Sequence, residues 1–152
     1  MQTTENALWQ IYQNVYFNRV PTSKLTDKSI LLLSVWNPNG LSKRYLANKR
    51  HSTFVTRYLK RIGLSYLTLW GGNACMTYRE YTLAISNVNN KKSYRLAKLA
   101  RQKAYYLIIN KQLILVETKI NGRRIKLRHA RHYLTRMPKL ISRQGVNYAL
   151  AE

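Results

Sequence analysis

The chain has 152 residues, enough for one domain that removes roughly 70% of its unfolded surface from water, and 45% of them are apolar, which argues against wholesale disorder. Its 27 Lys and Arg stand against 5 Asp and Glu, a formal charge of +22. Self-repulsion on that scale opposes a compact monomer unless the field gathers a polyanion, with nucleic acid the first class of partner and an anionic membrane surface the second.

One cysteine, Cys75, excludes an intramolecular disulfide and points away from an oxidising compartment. No apolar run approaches the roughly 20 residues of a transmembrane helix. The opening MQTTENALWQIYQNVYF lacks the cationic start and apolar centre of a signal peptide. A soluble, cytoplasmic chain without transmembrane insertion is the expectation.

Residues 7–20 put Leu8, Ile11, Tyr12 and Val15 at helical spacing, which predicts an amphipathic helix. PTSKLTDKS follows as a loop, and ILLLSVW (residues 30–36) reads as a buried strand stopped by NPNG. The helical period returns over residues 42–61. Ser42 is its expected N-cap and Gly63 its stop, with Ala47, His51, Phe54, Val55, Tyr58, Leu59 and Ile62 on the apolar face.

LSYLTLW (residues 64–70) alternates as a strand that Gly71-Gly72 ends, and YREYTLAISNV (residues 78–88) is another strand. A second main helix over about residues 92–101 is expected to bury Leu96, Leu99 and Ala100. AYYLII and QLILVE form a hairpin on Asn110-Lys111, and TKI and RRIKL a second on Asn121-Gly122. RHARHYLTRM reads as a short helix before Pro138. The fold expected is α+β: a mostly antiparallel sheet with two main helices packed on one face. The expected division is a domain over residues 1–118 and a basic C-terminal extension over residues 119–152.

Three stretches carry a resemblance: SVWNPNGLSKRYLANKRHSTFVTRYLKRIG, GGNACMTYREYTLAISNV and RLAKLARQKAYYLIINKQLILVE. In order and content they resemble the small bacterial proteins grouped as the DUF3293 family, a domain of unknown function. In that pattern a strand ends in a Thr/Ser-x-Trp/Tyr-Asn-Pro turn and a helix with an Asn follows. An aromatic-x-Glu stretch then leads a strand, and a later helix gives way to a strand through Gln-x-Ala. The matching positions are Trp36, Asn37 and Pro38, then Asn48, then Tyr78 and Glu80, then Gln102 and Ala104. The resemblance covers roughly residues 8–117. It implies a compact α+β domain and no particular activity.

Few carboxylates fall inside the expected elements, which draws attention to Glu80. It reads either as a general base or acceptor for a nucleobase edge, or as a structural anchor. With Trp36, Asn37, Asn48 and Tyr78 it makes a polar cluster at the sheet end, either a candidate pocket or a network that satisfies itself. His51, His129, His132 and Cys75 lack metal-ligand spacing, and GGNAC lacks that of a phosphate-binding loop, so no metal and no cofactor are expected.

The basic segments carry the strongest signal. Residues 43–61, 91–103 and 119–143 hold 22 of the 27 cations and no acid. Tyr45, Tyr58, Tyr94, Tyr105, Tyr106 and Tyr133 are interleaved with them. Cations for phosphates beside aromatics for unpaired bases are the ingredients of RNA or single-strand binding. The expected contact residues are Arg123, Arg124, Lys126, Arg128, Arg131, Arg136, Lys139 and Arg143, with Lys49, Arg50 and Arg57 of the long helix.

The expectation is a small, basic, non-enzymatic nucleic-acid-binding accessory protein, RNA favoured over DNA, with no catalytic residues assigned and the oligomeric state open. The alternatives are a small basic ribonuclease of toxin type, using His129, Arg131, His132 and Tyr133, and a module that binds an acidic protein or an anionic membrane surface.

Overall fold

The computed structural model describes residues 2–18 and 29–135. Three helices, α1 (Gln2–Gln13), α2 (Tyr45–Arg61) and α3 (Asn90–Leu99), accompany eight strands. The strands are β1 (Tyr16–Asn18), β2 (Ser29–Ser34), β3 (Leu67–Gly72), β4 (Arg79–Ser86), β5 (Ala104–Ile109), β6 (Gln112–Glu117), β7 (Arg124–His129) and β8 (Leu134–Thr135). All eight form one sheet in the order β7-β6-β5-β2-β4-β3-β1-β8. Seven strands run antiparallel to their neighbours, and the two-residue β8 adds to β1 in parallel. The fold is therefore α+β with a mostly antiparallel sheet, which curls into a half-barrel.

The apolar runs of the central strands have a simple cause: they are buried on both faces. In β2, Leu31 and Leu33 join Val55 and Leu59 of α2 and Leu96 and Ala97 of α3. Ile30 and Leu32 join Trp9 of α1 in a second cluster on the other side. The same alternation divides β5, with Tyr105 and Leu107 in the first cluster and Tyr106 and Ile108 in the second. Each fully buried Leu or Val in these clusters contributes roughly 1.5–3 kcal/mol.

The second cluster draws on all eight strands, as the inside of a curled sheet must, and α1 fills it through Trp9 with Tyr12 packed against it. β7 and β8 lie at opposite ends of the strand order, yet only the 3-10 turn Ala130–Tyr133 separates them. Such a connection reaches at most about 18 Å, so the curl brings the two edges of the sheet close together.

Several expectations are corrected. The first helix ends at Gln13, and residues 16–18 are β1 rather than its last turn. Long-range contacts explain the change: the Phe17 ring packs over Gly71, and the buried Asn18 side chain accepts from the Trp70 N–H at 2.6 Å. Gly71 and Gly72 do not follow β3 but are its last two residues, paired with Glu80 and Arg79. They are glycines because a Cβ at Gly71 would stand 3.0 Å from the Phe17 ring, and one at Gly72 would meet the Tyr78 carbonyl.

The long helix starts at Tyr45 with Arg44 at the N-cap, so Ser42 is no cap. Its buried residues are Asn48, Val55 and Leu59, whereas Leu46 and Phe54 are exposed at 64% and 54%. Ala47 faces solvent too, and Ile62 is 37% exposed. The inward face is rotated because a polar side chain, Asn48, occupies the slot that apolar spacing assigned to Ala47.

The β5–β6 hairpin forms as expected, with Asn110 and Lys111 both at positive φ. The next connection is longer than a two-residue turn. TKI is not a strand, and residues 118–123 fold back on Glu117, whose carboxylate accepts from the Arg123 N–H at 3.0 Å. Of RHARHYLTRM, the described residues 128–135 are the end of β7, the 3-10 turn and β8 in place of a helix. Residues 124–135 thus belong to the same sheet as the rest, since β7 pairs with β6 and β8 with β1. The division after residue 118 has no counterpart there. Arg136, Lys139 and Arg143 lie outside the described residues, as do the loop residues 21–28.

Candidate functional site

At one end of the sheet the polar cluster assembles around Asn37. This residue follows β2 at φ 48°, a left-handed conformation that Asn tolerates better than most residues. The turn allows its N–H to donate to Asn48 Oδ1 at 2.8 Å, while its own Oδ1 accepts from Asn48 Nδ2 at 3.0 Å. Asn37 Oδ1 also accepts from the Lys43 N–H at 3.0 Å, and Asn48 Nδ2 donates to the Lys43 carbonyl at 3.1 Å. Two side-chain amides thereby lock the turn after β2 to the start of α2.

Asn37 Nδ2 donates onward to Glu80 Oε1 at 2.9 Å. The Tyr78 hydroxyl donates to the same oxygen, and Ser34 Oγ donates to Oε2 at 2.6 Å. Glu80 is therefore held by three neutral donors, and among the described residues no cation lies within salt-bridge distance of it. Burial, then the Glu80 charge, push the Tyr78 phenol well up and the Tyr12 phenol to about 12. Both tyrosines stay protonated and remain donors. The cluster so described hydrogen-bonds to itself, and its acceptors are already engaged.

Trp36 sits beside this network with its ring turned elsewhere. It is 4% exposed and packs edge-on against Tyr45 and Trp70, with ring centroids 6.1 and 5.4 Å away. Its carbonyl accepts from Gln102 Nε2 at 2.8 Å. Gln102 and Ser34 belong to the network, and spacing alone did not single either out as a partner of Glu80 or Trp36. The one hint in the chain is that both flank elements otherwise built from apolar residues.

The cations fall into two groups. In β7, Arg124, Lys126 and Arg128 are exposed, while Ile125 and Leu127 pack into the cluster inside the curl. Burial raises the Tyr105 phenol, and the Arg124 guanidinium acts on it in the opposite sense, so Arg124 stands near the face that α3 covers. On α2, Arg50 and Arg57 are exposed opposite the buried face, and Lys49 is exposed at its flank. Leu46, Arg50, Phe54, Arg57 and Arg61 recur there at helical spacing as a mixed cationic and apolar stripe.

Arg123 is placed differently from its neighbours. Its guanidinium lies 4.4 Å over the Trp9 ring and donates to both oxygens of Glu117 at 3.3 Å. Lys119 adds a 3.2 Å ion pair to the same carboxylate. Arg123 thus covers the Trp9 ring instead of projecting freely. Arg131 and His132 are exposed on the 3-10 turn. His129 Nδ1 accepts from the Arg131 N–H at 3.2 Å, and the Tyr133 hydroxyl accepts from the Arg128 N–H at 3.0 Å. Two groups of the alternative ribonuclease set are therefore engaged in holding the turn.

The Glu117 clamp gives a pH prediction. Its side chain is 12% exposed, and the hydrogen bond from Arg123 holds its carboxyl at about 2, below the ordinary 4.5. The folded protein takes up that proton less readily than the unfolded chain, so the clamp stabilises fully above about pH 4.5 and is lost as pH falls towards 2. Urea midpoints should therefore fall between pH 5 and pH 3 more in the parent than in Glu117→Gln, with the variant weaker at pH 6. Parallel curves would show that the clamp contributes nothing.

Among the described residues no helix is long and apolar enough to cross a membrane, and no three His, Cys, Asp or Glu side chains gather to hold a metal. No family model matches the chain, and neither a curated protein nor a solved structure is significantly similar to it.

Proposed function

We propose that the protein is a non-enzymatic nucleic-acid-binding accessory protein, with RNA as the favoured partner, acting in the bacterial cytoplasm. The observation that carries this reading is the ordering of the exposed cations. They stand in rows on β7 and α2, whereas the described carboxylates Glu5 and Glu117 are drawn to Lys119 and Arg123. A surface evolved only for solubility mixes both signs. Rows of one sign, with Tyr45 and Phe54 exposed beside the α2 row, suit phosphates and unstacked bases.

A cleft of about 330 Å³ supports the same reading. It lies where the end of α2 meets the start of α3, and Tyr58, Lys91, Lys92 and Arg95 line it. In this reading α2 and α3 form one layer on one face of the sheet, and that layer with β7 is the binding face. The DUF3293 resemblance is carried by the residues of the Asn37–Glu80 network, which in this proposal is the scaffold of the α2 row and not the site of binding.

The test is salt-dependent binding of the nuclease-treated protein to single-stranded RNA, duplex RNA and duplex DNA. If Lys49, Arg50, Arg57, Arg124, Lys126 and Arg128 all meet phosphates, log K falls against log salt with a slope of roughly −4 on a single strand. Replacing either row of three with Ala should reduce that slope by about 2, with the fold intact because all six side chains are exposed. Weak binding to all three ligands, insensitive to salt, would sink the proposal. Cleavage of the RNA would favour the ribonuclease reading instead.

A further inference from the structure

We propose that the groove between the end of α1 and the edge strand β7 seats one unpaired nucleotide of single-stranded RNA, its base against Gln10 and Asn14 and its phosphate on Lys126 and Arg128. The inference rests on the nucleic-acid reading above and adds to it a subsite that senses the base.

The groove holds about 510 Å³, within the range of small-molecule sites, and Gln10, Gln13, Asn14, Lys126, Arg128 and Tyr133 line it. It lies near the seam where the two edges of the curled sheet approach each other. Two amides from the last turn of α1 and a third from Asn14 just after it thus face two cations from a strand distant in sequence. Amide groups are suited to a base edge, because each offers both donor and acceptor. Cations are suited to the phosphate.

Two of the three amides, those of Gln13 and Asn14, are held in place. Asn14 Nδ2 donates to the Gln10 carbonyl at 3.1 Å, and Gln13 Nε2 donates to the Trp9 carbonyl at 3.5 Å. A primary amide has two N–H bonds, so each of these keeps one donor and its own carbonyl oxygen for a ligand. Anchoring lowers the entropy lost when a base is bound.

The opposite wall is shaped by an irregularity in β7. Gln112 pairs with His129 and Ile114 with Lys126, so Leu127 and Arg128 together stand opposite Leu113 alone. A bulge of this kind bends the strand and re-aims its side chains. Two long-reaching groups replace the ladder bonds lost there. Gln112 Nε2 donates to the Leu127 carbonyl at 3.1 Å, and the Tyr133 hydroxyl accepts from the Arg128 N–H at 3.0 Å. The second bond also fixes Tyr133, whose ring lies 6.3 Å from that of Tyr16, at the edge of the groove. An aromatic ring there can meet a base face.

The test compares a labelled RNA hexamer with a ribose-phosphate hexamer of equal charge that carries no bases, using the full chain. Polyglutamate serves as a third ligand that shares the charge and lacks the sugar. Binding to the RNA should be about tenfold tighter than to the abasic chain, the worth of one stacked and hydrogen-bonded base. Gln10→Ala with Asn14→Ala, both at exposed positions, should remove most of that difference and leave the abasic affinity and the salt slope unchanged. As a check independent of any variant, the side-chain NH2 resonances of Gln10, Gln13 and Asn14 should shift with RNA and not with the abasic chain.

Equal, measurable affinity for both hexamers would overturn the subsite and leave the phosphate-binding reading standing. A base preference that survives in the double variant would overturn it as well. Binding of polyglutamate but not RNA would overturn both readings, and so would binding of none of the three.

Discussion

Asn48→Ala should destabilise the protein by about 3 kcal/mol, because it removes three hydrogen bonds of one buried side chain at once. Asn48 is fully buried. Its loss leaves the Asn37 N–H and the Lys43 carbonyl without the partners they have at 2.8 and 3.1 Å. Each hydrogen bond lost there costs roughly 0.5–1.5 kcal/mol, more where water does not reach the partner left behind. Asn48→Asp offers no rescue: it keeps the acceptor for Asn37 but loses both donated bonds and buries a charge. Urea unfolding checks the magnitude, and amide exchange checks the location, since the Asn37 and Lys43 N–H groups should exchange faster than those of β5. A loss below about 1 kcal/mol would mean that water replaces the amide, and that the network does not hold α2 in place.

Gly72→Ala should have an effect of similar size from steric overlap instead of lost hydrogen bonds. A Cβ there would lie 2.0 Å from the Tyr78 carbonyl oxygen and 2.8 Å from Arg79 Cα, both backbone atoms. No rotamer change relieves such a contact, so β3 and the start of β4 must separate. Overpacking that moves backbone costs about 3 kcal/mol. The displaced segment carries Tyr78 and Glu80, so the variant should also loosen the turn at Asn37. Gly63→Ala is a useful contrast: its Cβ would meet nothing within 4 Å, and only its φ of 74° opposes the change. That variant should lose about 1 kcal/mol. Thermal melts of the two proteins side by side test the argument, and equal losses would refute it.

The candidate site was legible in part. Asn37, Asn48, Tyr78 and Glu80 stand out in the chain, and they meet through direct hydrogen bonds. Their signal was the motif pattern they share and, for Glu80, the scarcity of carboxylates in the chain. Trp36 was grouped with them by position, but its ring turns to Tyr45 and Trp70. The groove beside β7 was not legible at all. Gln10, Gln13 and Asn14 look like the solvent side of any amphipathic helix until β7 is laid opposite them.

What the sequence determined by itself is what local physics controls. Short unbroken apolar runs marked β2, β5 and β6, period 3.6 marked α2 and α3, and Asn110-Lys111 supplied the two positive φ values of a tight hairpin. The excess of cations was likewise plain from composition. Only the tertiary structure decided which way α2 turns, because Asn48 finds its partner eleven residues away and displaces Ala47 from the inward face. Only it placed Gly71 and Gly72 within a strand, since their need for no side chain comes from Phe17 and Tyr78. β8 joined the sheet for the same kind of reason: a strand edge is completed by whichever chain reaches it, and no local spacing records that.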